Sequence, residues 1–223
     1  LVPADSAKAA KLSIIAKYLW FDAYAECVGP NFVKANVPRI IHLIGSPAFN
    51  SGQGTMVLGT AEGGLVITLY MVNNLTDKML TDYATVNDYY FHTMHHEFTH
   101  ILNQKIPYDE NFQHISEGNY VSGDWYQKRT SAANKKGFVT PYAMSEPLED
   151  FAEMLSVYVT TSPSGWQKIM DTAGTTGAPF IQAKLDMVRA YMKNSWKLDI
   201  DELRSIVLRR ASEINHLDLN QLK

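Results

Sequence analysis

Two histidines four residues apart, with a glutamate beside the first, stand in the run His96-Glu97-Phe98-Thr99-His100. On a helix, side chains at i and i+4 lie roughly 5–6 Å apart on one face, close enough for both imidazoles to bind one zinc ion at about 2.0–2.1 Å. Glu97 falls about 100° around the helix from His96. It can face a water on such an ion without being a ligand, which is where a general base has to stand. With 7 histidines and 10 glutamates in 223 residues, the five-residue pattern arises by chance in roughly one such chain in a hundred. The plain alternative is a solvated polar face on a core helix. The helical wheel weighs against it, because Phe91, Met94, Phe98, Ile101 and Leu102 gather opposite His96 and His100.

A hydrolytic zinc site needs a third protein ligand and an open position for water. His92 lies one turn before His96, but three successive turns of one helix seldom converge on a tetrahedral ion, so a pocket-wall or supporting role is preferred for it. His95 points elsewhere and reads as structural. His42, His114 and His216 are lone histidines of the surface or of a satisfied core, with His114 in the stretch that shapes a pocket. No third histidine follows at the metzincin spacing, which excludes that subclass. Downstream, the segment Tyr142 to Glu153 offers carboxylates at the start of another helix, with Pro147 suited to its first turn. Glu149 and Glu153 are one turn apart at the edge of an apolar stripe of Leu148, Phe151, Ala152, Leu155 and Val159. One of the two can bind metal while the other holds a metal-bound imidazole. Glu146 and Asp150 project farther from that stripe. Decoration of a helix N-terminus competes as an explanation of these acids, and the need for a third ligand decides against it.

Composition narrows the choice of ligands. A single cysteine, Cys27, excludes an intrachain disulfide and any cysteine-bound metal cluster. A formal net charge of −3 gives no basic field, which excludes a dedicated nucleic-acid binder. Hydrophobic residues at 46% and charged residues at 19% fit a chain that folds. No run of 18 apolar residues is present to span a membrane as a helix.

The elements that must position these residues are legible in outline. Helical spacing runs over about 5–26, with Asp5 or Ser6 as N-cap. Three β-rich runs follow, Pro38 to Ile44, Thr55 to Thr60 and Gly64 to Val72, separated by the 45–54 loop and a Glu62-Gly63-Gly64 turn. A long helix is predicted over about 81–104, ending before Pro107, then mixed loop and short helix over 106–146. Helices at about 147–161, 163–172, 180–195 and 200–213 complete the chain. The expected class is α+β: a small, mainly antiparallel or mixed sheet with the histidine-bearing helix, then a helical C-terminal part. One domain, 1–223, is expected, with a seam near residue 106 between a sheet-bearing subdomain (1–106) and a mainly helical one (107–223).

On His96-Glu97-Phe98-Thr99-His100 and the later Glu149, the chain resembles zincins of the gluzincin type, in which a glutamate from a later helix joins the H-E-x-x-H histidines, as in thermolysin-like peptidases. It is also similar to the protease domain of anthrax toxin lethal factor, where the later helix carries a tyrosine seven residues before the glutamate ligand. The matching residues here are Tyr142, Glu149 and the string Glu149-Asp150-Phe151-Ala152-Glu153, with Asp150 in place of an aromatic residue. The resemblance implies Glu149 as third zinc ligand, Glu153 as partner of a ligand imidazole, and Tyr142 as the hydroxyl that stabilises the oxyanion. The phrases from His96 to Gln104 and from Ser145 to Glu153 further resemble lipoproteins of Gram-negative bacteria classed as zinc-binding metallopeptidases and encoded beside outer-membrane nutrient importers. That likeness implies an exported parent, periplasmic or anchored to the outer membrane by a lipid, with importer components as partners.

The expected activity is zinc-dependent hydrolysis of a peptide or protein substrate. Glu97 takes the proton of the attacking water, and an extended substrate adds a strand to the run Gly64 to Val72 just before the active helix. Two other readings stand beside it: a binding module of a nutrient-import system that turns over little substrate, and a hydrolase of a non-peptide amide. In the pocket-forming stretch, Trp125, Tyr126, Tyr120 and Phe138 could stack on a sugar or a peptide side chain, or simply pack.

Overall fold

Small and apolar residues at helical spacing turn the first thirty residues into a nearly unbroken helical column. In the computed structural model, which describes residues 1–50, 54–62 and 65–221, α1 (Ser6–Ala16) starts on Asp5, whose carboxylate accepts from the Lys8 N–H at 3.0 Å. A π-helical turn, Lys17–Phe21, leads into α2 (Asp22–Val28). Gly29, at φ 111°, makes the break that a side-chain-bearing residue would resist, and Pro30 opens α3 (Pro30–Asn36).

The strands are short: β1 (Ile40–Leu43), β2 (Ala48–Phe49), β3 (Met56–Val57), β4 (Gly59–Glu62) and β5 (Val66–Leu69). A three-stranded sheet has the order β1-β5-β4. β5 runs parallel to β1 in the register Ile40↔Val66 to Leu43↔Leu69, and antiparallel to β4 in the register Gly59↔Leu69 to Glu62↔Val66. β2 and β3 form a separate antiparallel pair. The sheet is mixed, as the α+β expectation allows, but its strand order corrects one reading. The run Gly64 to Val72 is not an edge: its strand, β5, is central and already bonded on both sides, so no substrate strand can add there. Ile67, Thr68 and Leu69 are all buried, the continuous burial of an inner strand. The expected Glu62-Gly63-Gly64 turn and part of the 45–54 loop fall on residues 51–53 and 63–64, outside the described residues.

The remaining elements are helical. They are α4 (Asp77–Leu80), α5 (Tyr83–Val86), a π turn (Asn87–Phe91), α6 (His92–Lys105), α7 (Asn111–His114), α8 (Thr130–Lys135), α9 (Pro147–Thr160), α10 (Pro163–Trp196) and α11 (Ile200–Ser212). Short 3-10 turns stand at Trp125–Gln127, Tyr142–Met144 and Ile214–His216. α10 replaces the two helices expected over 163–172 and 180–195. Helical runs extend into the Gly/Thr segment from both sides and meet at Gly174, the one non-helical residue (φ 61°, ψ −161°).

The chain divides into two units, Leu1–Ile101 with Ser205–Lys223, and Leu102–Arg204. In the first, Leu12, Ile15, Leu19, Trp20, Ala23 and Tyr24 are buried, as are Ile67, Leu69, Met94 and Phe98. Phe98 meets Trp20 and Tyr24 edge-on, at ring separations of 5.1 and 5.0 Å. Arg210 reaches Glu26 at 2.7 Å, tying the C-terminal part of α11 to α2. In the second unit, Phe112, Phe138, Met144, Phe151, Met154, Leu155, Val188, Met192 and Leu203 are buried. Gly177 lets α10 approach α8, since a Cβ there would lie 2.0 Å from the Asn134 carbonyl oxygen. Among the described residues, no helix is long and apolar enough to cross a membrane.

Candidate metal centre

α6 buries its apolar stripe completely and holds His96 buried as well, with His92, Glu97 and His100 partly buried. The helical run that leads to it begins at Asp82, whose carboxylate accepts from Thr85 N–H at 3.3 Å. It ends with Ile106 N–H bonded to the Leu102 carbonyl at 3.0 Å, one residue before Pro107. Phe91, Met94, Phe98, Ile101 and Leu102 are all buried, as their spacing requires. Each such side chain contributes about 1.5–3 kcal/mol by leaving water, so the rotation of α6 is well determined.

That rotation sets the histidines. His96 and His100 lie with their Nε2 atoms 3.0 Å apart and their rings edge to face at 4.7 Å. Two ligands at about 2.0–2.1 Å and a tetrahedral angle would stand about 3.3 Å apart. The observed pair is close to that spacing, with both rings presenting the same nitrogen, so the donor set fits a zinc ion. His92 continues the row at a ring separation of 6.5 Å from His96. Glu97, next to His96, is partly buried. His95 faces inward as expected. It is fully buried, paired through Nδ1 with the Tyr24 hydroxyl at 2.9 Å, and burial lowers its pKa to about 3, so it stays neutral.

In the second unit, α9 carries the acids. Pro147 occupies its first turn, Glu149 is partly buried and Glu153 is buried. The Thr140 hydroxyl donates to Glu153 Oε2 at 2.6 Å and accepts from the Ala143 N–H at 3.1 Å. These bonds fasten the start of the 3-10 turn Tyr142–Met144 to α9. Within that turn Tyr142 meets the Trp125 ring edge-on at 4.9 Å. His92, His96 and His100 on α6, and Glu149 and Glu153 on α9, are the residue types that hold zinc.

Two positions in α9 depart from the wheel. Leu148, assigned to the apolar stripe, is 43% exposed, whereas Asp150, expected to project away, is fully buried. Its Oδ2 lies 2.6 Å from Lys184 Nζ and accepts from the Tyr120 hydroxyl at 2.9 Å. Burial raises the Asp150 carboxyl to about 6, even with the ammonium group beside it. The wheel fails because α9 is buried on every side from Asp150 to Thr160 and has no solvent face to which a charge could be assigned. Thr140, Tyr120 and Lys184 were not singled out from the sequence as partners of these acids. Lys184 left a signal: it stands in the stripe Ile181, Lys184, Leu185, Val188, Met192 of α10, where a charge must be compensated. Of the aromatics offered for ligand stacking, Phe138 is buried under Lys184, Tyr120 is bonded to Asp150, and Tyr126 is exposed. His42, His114 and His216 are exposed.

Residues 1–201 match the family described as "Putative zinc-binding metallo-peptidase". A solved structure, described as that of a putative zinc-binding metallo-peptidase from Bacteroides caccae ATCC 43185, is 44% identical. The match covers 100% of this chain and 84% of that one, with a TM-score of 0.85. Among curated proteins there is no match.

Proposed function

The chain belongs to the family described as "Putative zinc-binding metallo-peptidase", and from that premise we propose that it hydrolyses peptide bonds at a zinc ion held by His96, His100 and Glu149. The observation that carries this reading is the 3.0 Å approach of the two Nε2 atoms on one side of α6. Three protein donors leave a fourth position for water, the arrangement of hydrolytic rather than structural zinc. Bound there, zinc supplies a Lewis acid and brings the pKa of water down toward about 7.

The other steps belong to the protein. Glu97 takes the proton of the attacking water and passes it to the departing amine, acting first as base and then as acid. Tyr142 donates a hydrogen bond to the carbonyl oxygen as negative charge gathers on it. Glu153, oriented by the Thr140 hydroxyl, accepts from a ligand imidazole N–H and so selects the tautomer whose other nitrogen is free to bind. An extended substrate adds to β4, the outer strand of the three-stranded sheet on the side away from β1. β4 packs on the first turn of α6, where a Cβ at Gly59 would lie 2.7 Å from Thr93 Cγ2.

Cleavage of a broad peptide library by the zinc-loaded protein, with Glu97→Gln as control, tests the reading. The expected result is full zinc occupancy in both proteins and a loss of about 10²–10⁴-fold in turnover in the variant. Equal activity in Glu97→Gln overturns the mechanism. Absence of cleavage by the fully loaded parent, with binding of peptides retained, favours the binding-module reading instead.

A further inference from the structure

Lys184 is fully buried on the apolar stripe of α10, a place where leucine or methionine would pack at no cost in desolvation. Its ammonium group is held from three directions: Asp150 Oδ2 at 2.6 Å, the Gly137 carbonyl oxygen at 2.8 Å, and the Phe138 ring at 3.8 Å from its centroid. Tyr120 adds a second donor to the same Asp150 oxygen at 2.9 Å. Buried ion pairs of this kind commonly contribute no more stability than hydrophobic residues of the same volume. What they add is direction, because each bond has an angular optimum that packing alone does not impose.

Asp150 follows Glu149 directly and precedes Glu153 by three residues in α9, so its bearing around the helix axis sets theirs. A carboxylate oxygen about 6 Å from the axis moves about 1 Å when the helix turns by about 10°. A metal site tolerates about 0.2 Å. We propose that Lys184 is a positioning residue for the metal centre, holding α9 through Asp150 at the rotation that presents Glu149 and Glu153. Through Gly137 it also anchors the segment that runs on to Thr140, the donor to Glu153. The proposal rests on the assignment of Glu149 as a zinc ligand.

The test replaces both charges at once, so that none is left buried alone. In Lys184→Met/Asp150→Leu, the metal-free protein is expected to melt at or above the temperature of the parent. Its zinc affinity, measured by competition with a chelator, is expected to fall about 10–100-fold, the usual effect of removing a group that orients a ligand. The visible absorption of the cobalt-loaded form should change with it, and kcat should fall while KM stays within about twofold. A folded double variant with the affinity, cobalt spectrum and kcat of the parent overturns the proposal. Should the double variant not fold, Tyr120→Phe decides: a loss of about threefold in zinc affinity supports the proposal and an unchanged affinity overturns it. Glu149→Ala separates the two readings, since retention of zinc there removes the ligand assignment itself, whereas its loss beside an unaffected double variant removes only the role of Lys184.

Discussion

α6 and α9 are both fourteen-residue helices, and each carries residues proposed for the same chemistry, yet they are built on opposite plans. α6 buries an apolar stripe and turns His92, His96 and His100 to the opposite side, where His96 is buried and the other two are partly buried, so the hydrophobic effect selects the side on which the histidines stand. α9 is buried on all sides from Asp150 to Thr160. Its polar groups are set by particular partners: Lys184 and Tyr120 for Asp150, Thr140 for Glu153, Asp201 for Tyr158. An amphipathic helix can therefore be oriented by many small, interchangeable contacts, whereas a fully buried one depends on a few bonds that cannot be exchanged.

The contrast fails if single polar truncations cost the two helices the same stability. Lys184→Ala is expected to lower the free energy of unfolding by about 3–5 kcal/mol, because it leaves the Asp150 charge buried and unpaired. The isosteric Glu97→Gln, at a partly buried position of α6, should cost less and stay within about 1 kcal/mol of the parent. Urea denaturation of the metal-free proteins measures both.

A smaller effect separates positioning from stability. Thr140→Val keeps the volume of the side chain but removes the donor to Glu153, and is expected to weaken zinc binding about 10-fold, as read by chelator competition. An unchanged affinity would disconnect Glu153 from the site. The smallest effect belongs to the far end of α9, where the Asp201 carboxylate is held by Arg189 at 2.8 Å and accepts from the Tyr158 hydroxyl. The Arg189 hydrogen bonds keep the Asp201 carboxyl below its ordinary range. Its contribution is thus complete above the unfolded value of about 3.9 and is lost as the pH falls through the lower folded value. The groups are partly exposed, so the contribution is at most about 1 kcal/mol. Unfolding curves of Asp201→Asn should lack that acid loss while matching the slope of the parent above pH 5, and an identical acid slope in the two proteins would remove the assignment.

The same division decides how much was legible beforehand. The α+β class and the long helices could be read because each depends on periodicity within one segment. The placement of His96 and His100 opposite the apolar stripe followed from the α6 wheel, where Phe91, Met94 and Phe98 bury one side, but the burial of His96 did not. The wheel of α9 misplaced Leu148 and Asp150, because it assumes a solvent face that α9 does not have. The strand order was hidden for a related reason. β5 reads as an apolar run, but whether it lies in the middle or at the edge depends on β1, more than twenty residues earlier in the chain. The 3-10 turn at Tyr142 gave no periodic signal at all.

From the sequence by itself came the zinc-type pair, His96 and His100, and the glutamate beside them, since three positions on one α-helix are related by covalent geometry and a fixed pitch. Only the tertiary structure decided which strands lie at the edges of the sheet, which hydroxyl holds Glu153, and which lysine meets Asp150. Those choices pair residues 13 and 34 positions apart in the last two cases. Packing and desolvation settle such pairs together, and no local pattern in the chain records them.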